Sequence, residues 1–201
     1  MDGNKILTEI LEKSEYGSKE QAIASLSYFT HPDTIHVLNN RNIFKIVRNP
    51  AKRGEMTTES MFDDNRCAHD IFCWANNLQR KSFKDVQFNH IYSDPKSIEK
   101  YTCLSNIILT PAFLAKLTDT DRGVISLLEY RAFEIYGYNP DNKAFVKPDN
   151  YDKIKWREFL PKQESVLNNF ENKIKTCQKN RAVMSIKHFG WVFNDFTPKH
   201  N

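Results

Sequence analysis

The sequence predicts an α+β protein: a mostly helical single domain around a small antiparallel sheet. Three observations carry this. Apolar residues recur at helical spacing over most of the chain, short runs alternate as half-exposed strands do, and no repeat or linker divides the 201 residues. The expected organisation is one domain over 1–201. Its helical part, 1–83, includes a basic strand within 41–53; a strand–turn–strand–helix unit spans 84–119; a helical part over 120–201 ends in an aromatic, basic tail.

Taken in order, Ile6, Leu7, Ile10 and Leu11 form the first helical stripe. Ser18 followed by Gln21 is a capping box, opening a helix through Ala22, Ile23 and Leu26 that His31-Pro32-Asp33 stops. Residues 43–48, IFKIVR, alternate apolar and basic like a strand, and Asn49-Pro50 ends them. A helix is expected over about 60–79, burying Ala68, Ile71, Phe72, Ala75 and Leu78. Strands are expected at 84–92 and 101–109, with a turn at Ser93-Asp94-Pro95. Thr110-Pro111 has the form of an N-cap followed by proline at the first helical position, opening a short helix over 111–117. Val124, Leu127, Leu128, Arg131 and Ile135 mark a helix over 121–136, and residues 138–152 read as a loop. Val166, Leu167, Phe170 and Ile174 mark a helix over 162–178, and Met184 to Phe196 reads as a last strand.

Composition narrows the function classes. Six Gly and eight Pro exclude collagenous and low-complexity chains, and 40% hydrophobic residues suffice for a core without staples. No apolar run approaches the ~20 residues of a membrane span, and the polar start, with Glu9, Glu12 and Glu15, does not read as a signal peptide. A soluble cytoplasmic protein with no membrane partner is the expectation. Cys67, Cys73, Cys103 and Cys177 form no CxxC pair, so neither a zinc ribbon nor a disulfide framework is expected; Cys67 and Cys73 read as buried thiols on a helix, the alternative being a metal site with His69 between them.

The net charge of +4 is mild, but its distribution is uneven. Segment 41–53 holds Arg41, Lys45, Arg48, Lys52 and Arg53 with no acid, and 173–201 holds six Lys/Arg against Asp195 alone. Such blocks suit a polyanion-binding face or a solvated surface. In the tail, Lys187-His188-Phe189-Gly190-Trp191 interleaves charge and rings as single-strand-binding surfaces do, although a core strand explains the rings equally well.

The segment with the most chemistry is 86–119. His90 closes its first strand, Asn106 follows sixteen residues later, and Ile107-Ile108-Leu109 comes directly after. Asn89-His90-Ile91 and Ser105-Asn106-Ile107, followed by the Thr110-Pro111 helix start, resemble the motif of the HNH, or ββα-metal, endonucleases. The resemblance spans about 34 residues. It implies phosphodiester hydrolysis in DNA, with RNA as an alternative substrate, in restriction or phage defence. It implies His90 as general base, Asn106 as the residue that orients it or braces the loop, and Asn89 as a metal ligand. A neutral imidazole near pH 7 takes a proton from water, and a divalent ion absorbs charge on the phosphate. Mg²⁺ or Mn²⁺ is expected ahead of Zn²⁺.

The chain departs from the family at two positions. Asn89 stands in place of Asp or His and would be a weak ligand. A helix ligand is expected nine residues after Asn106, where this chain has Ala115. Asp119 is the nearest carboxylate and either replaces that ligand or caps the next helix. His69 and Asp70, on the helix upstream, are the other candidates; alternatively, they belong to an exposed helical face. A catalytically inactive HNH-like module that binds nucleic acid or protein is the alternative function, and a homodimer is left open.

Overall fold

A computed structural model of the chain describes residues 1–177 and 183–184. The first thirty residues carry two short helices, as expected, and their starts are set by side-chain caps. Helix α1 (Gly3–Glu12) begins where the Asp2 carboxylate accepts from the amides of Asn4 and Lys5. Helix α2 (Lys19–Leu26) begins at Ser18, whose hydroxyl accepts from the Gln21 amide, and buries Ala22, Ile23 and Ala24. His31-Pro32 opens an element rather than only closing one. The His31 side chain accepts from the Asp33 amide, and Pro32 occupies the first turn of α3 (Pro32–His36).

The expected strand at 43–48 is shorter than its alternation suggests. Only β1 (Ile46–Arg48) pairs, and it does so in parallel with β2 (Met61–Asp63). Ile43 and Phe44 instead bind Thr102 through their amides, at 3.0 and 2.9 Å. The helix expected over 60–79 is likewise divided. Its first residues form β2, Asn65 takes a left-handed φ of 78°, and only α4 (Arg66–Ala75) is helical. The physical reason is the carboxylate of Asp63, which accepts from the Cys67 amide at 2.8 Å and so fixes the helix start three residues beyond the strand.

The expected antiparallel hairpin is present. Strand β3 (Val86–His90) precedes a short helix α5 (Ile98–Tyr101), and β4 (Ile107–Pro111) returns beside β3 with Val86 opposite Pro111 and His90 opposite Ile107. The second strand therefore starts at Ile107, six residues later than expected. The helix expected at 111–117 is displaced too. Pro111 closes β4, and the Thr110 hydroxyl donates to Asn89 Oδ1 at 2.7 Å instead of capping. Residues 111–116 coil through i to i+3 bonds into α6 (Leu117–Thr120).

Helix α7 (Arg122–Tyr136) is capped by Asp121, which accepts from the Val124 amide, and closes at Gly137, whose φ of 64° suits glycine. The segment after it is irregular, apart from a single turn at Tyr151–Lys153. It is strapped to α2 and its exit by Arg157 N–H to Ala24 O and Leu160 N–H to Phe29 O. Helix α8 (Val166–Thr176) completes the described fold. The expected strand at 184–196, with Lys187 to Trp191, lies outside the described residues beyond Met184.

Two apolar clusters form the interior. One gathers Phe44, Ile46, Ile71, Phe72, Trp74 and Phe170 around α4 and α8; the other gathers Ile23, Leu117, Val124, Leu127 and Leu128 around α2 and α7. Strand β4 lies between them. Ile107 and Leu109 belong to the first cluster and Ile108 to the second, as the two-residue period of a strand requires. All four cysteines are free thiols; Cys67, Cys73 and Cys103 are buried, and burial raises the Cys73 thiol to about 11. No described helix is long and apolar enough to cross a membrane.

Candidate active site

The end of β3, the loop after it and the start of α4 enclose a cleft of about 210 Å³. Arg48, Asn65, Asn89, His90, Asp94, Tyr101 and Asp119 are among the residues lining it. His90 is half-buried, with its ring 5.2 Å from that of Tyr101 and 19° from parallel. Its Nε2 lies 2.9 Å from the Tyr101 carbonyl oxygen, which can only accept, so Nε2 carries the proton and Nδ1 the lone pair. Burial holds the imidazole below its ordinary pKa. The Tyr101 carbonyl and Asp119 oppose that shift and Arg48 adds to it. A neutral imidazole at pH 7 follows.

Asn106 is fully buried and does not reach the imidazole. Its Oδ1 accepts from the Tyr92 amide at 2.7 Å, and its Nδ2 donates to the carbonyls of Tyr92 at 3.2 Å and Lys100 at 3.0 Å. It braces the loop that returns Tyr101 to His90. Asn89 is also a tether: its Oδ1 accepts from Thr110, and its Nδ2 donates to the Ala115 carbonyl at 3.4 Å. That oxygen is already engaged, and a neutral amide is a poor donor to a hard cation.

Asp119 also lines the cleft. It is exposed, with no side-chain hydrogen bond or ion pair among the described residues, and the cap of α7 belongs to Asp121 instead. His69 and Asp70 do not line the cleft. The His69 ring stacks on Phe88 at 4.4 Å, its Nδ1 is buried without a hydrogen-bond partner, and Asp70 is buried 4.0 Å from Arg66. Among the described residues no three His, Cys, Asp or Glu side chains group as a preassembled metal cage.

The basic segment is dispersed by the fold. Arg48 alone reaches the cleft, exposed and without a carboxylate partner among the described residues. Arg53 pairs with Asp64 at 2.6 Å, Lys52 sits over the Phe62 ring, Arg41 lines a separate hollow beside Leu167, and Lys45 is half-buried. No sequence signal marks Tyr101 or Asn65. Their roles rest on a main-chain carbonyl, a ring face and a left-handed residue, none of which has a spacing signature. No family model, curated protein or solved structure matches the chain.

His69 has a consequence for stability. Burial, then the nearby Arg80 and His90, push its pKa down from the usual 6.5 to about 4. Below pH 6.5 the unfolded chain binds a proton that the folded chain refuses, so stability present at pH 7 falls progressively as pH approaches 4. The loss expected from this residue is about 2 kcal/mol. Urea unfolding of wild type and His69→Phe at pH 7 and pH 4.5 measures it. The variant should show a smaller fall, and equal falls would assign the acid sensitivity to other groups.

Proposed function

We propose that the protein is a divalent-cation-assisted phosphodiester hydrolase acting on DNA, in the manner of the HNH endonucleases it resembles, with RNA as the alternative substrate. One observation carries this reading. A single cleft joins a neutral imidazole of fixed tautomer, His90, to an unpaired guanidinium, Arg48, and an unpaired carboxylate, Asp119.

The chemistry follows from these groups. Arg48 binds a phosphate through two parallel N–H donors and places the phosphorus within the cleft. His90 Nδ1 accepts a proton from a water molecule as that water's oxygen attacks phosphorus, and the P–O bond to the departing oxygen breaks. Asp119 would hold a hard cation. One or two carboxylates completed by phosphate oxygens are the usual Mg²⁺ arrangement, and the free Asp119 carboxylate fits it. When bound, such an ion neutralises charge on the phosphate and the departing oxygen.

The second reading, a module that binds nucleic acid or protein without cutting, is favoured by Ala115 at the expected ligand position and by the engaged amide of Asn89. Supercoiled plasmid incubated with Mg²⁺ or Mn²⁺ separates the two. Nicking that chelation abolishes, and that His90→Ala lowers about 10²- to 10⁴-fold, supports hydrolysis. Nicking indifferent to His90→Ala overturns it, and DNA retention without nicking supports the binding module.

A further inference from the structure

We propose that Tyr101, anchored by Asn65, is the positioning residue that fixes the tautomer and orientation of the His90 imidazole. This rests on the reading of His90 as the base. Tyr101 is 1% exposed and holds three points at once. Its carbonyl, at the end of α5, accepts from His90 Nε2, and its ring lies nearly parallel to the imidazole. Its phenol donates to Asn65 Oδ1 at 2.9 Å and accepts from the Asn65 amide at 2.7 Å.

The use made of Asn65 points the same way. It stands at the N-cap of α4, where an asparagine side chain ordinarily accepts from the first turn, yet it makes no capping bond. Asp63 accepts from Cys67 in that place, and Asn65, at a left-handed φ of 78°, turns both its amide and its side chain to the phenol. The strand–helix junction before α4 therefore grips the far end of Tyr101 while the near end grips His90. Without the phenol's two bonds the ring is free to shift, the carbonyl departs from the imidazole, and Nδ1 ceases to hold one direction in the cleft.

The test uses Tyr101→Phe, which keeps the ring and removes both phenolic bonds. It also uses Asn65→Gly, which keeps the left-handed backbone and removes the side-chain acceptor. Long-range ¹H–¹⁵N imidazole spectra of the full chain, with His90 assigned from His90→Gln, read tautomer and titration without reference to cleavage. Wild type should show only the Nε2–H form. Both variants should show mixed tautomers, with a second imidazole population protonated at Nδ1. The other charged groups around His90 are Asp119 on α6, Arg48 on β1 and His69 on α4, and all are unchanged in these variants. Cleavage should fall about tenfold in kcat with KM nearly constant, and the double variant should be no worse than either single one. Unmoved spectra in folded variants, or additive losses in the double variant, overturn the proposal. If wild type does not cut DNA while the spectra shift as expected, the positioning role stands and the hydrolase reading falls.

Discussion

Asn106→Ala is expected to destabilise the protein by about 3–5 kcal/mol, the largest loss from any single polar side chain in the hairpin. The side chain is completely buried and satisfies the Tyr92 amide and the Tyr92 and Lys100 carbonyls. Each buried backbone group left unpaired costs about 1–3 kcal/mol, and little of that is recovered where water cannot enter. Asn106→Asp is the informative companion, since it keeps the acceptor for Tyr92 and loses both donors. Urea unfolding should place both variants well below wild type, the Asp variant because its carboxylate faces two carbonyls with no donor between them. A loss below about 1 kcal/mol for alanine would show that the loop from Tyr92 to Tyr101 does not depend on this brace.

Asp119→Ala is expected to lower cation-dependent cleavage by about a hundredfold or more. The melting temperature should remain nearly unchanged, because an exposed side chain with no partner contributes little to stability. Asp121→Ala is its control. That residue caps α7 and pairs with Lys19, so its loss should cost about 1 kcal/mol of stability and leave cleavage alone. Plasmid nicking measured beside thermal melting reads both outcomes. Full activity in Asp119→Ala would mean that the cation is held by other groups.

Much of the fold was legible where a cap residue and a stripe of apolar residues agreed, as at Ser18, and where a stripe stood alone, as on the faces of α4, α7 and α8; the cap of α7, offered by the sequence to Asp119, belongs to Asp121. The errors share one physical origin. Strands of three residues have no period of their own, so β1 and β2 could not be recognised as partners before Ile46 was seen opposite Met61. Asp63 and Thr110 looked like helix and cap residues because their side chains bond as caps do, but Asp63 sits in a strand and Thr110 bonds across one. In the cleft, His90, Arg48 and Asp119 were legible by residue type, since base, cation and carboxylate are chemistry that single letters announce. Tyr101 and Asn65 were not, because they act through a carbonyl, a ring face and a backbone turn.

The position of β4 between the two apolar clusters bears on how faithfully the chain assembles its site. Sliding β4 by one residue would exchange its faces, sending Ile108 to the α4 side and Ile107 and Leu109 to the α7 side, so both interiors would be mispacked at once. A strand with a wet face resists such slippage with one set of contacts; this one resists it with two. Because His90 faces Ile107 and Asn106 directly precedes that residue, the alignment that seats the isoleucines also decides which loop residue meets the imidazole. Errors of registry are thereby penalised by the hydrophobic interior itself as well as by the cleft.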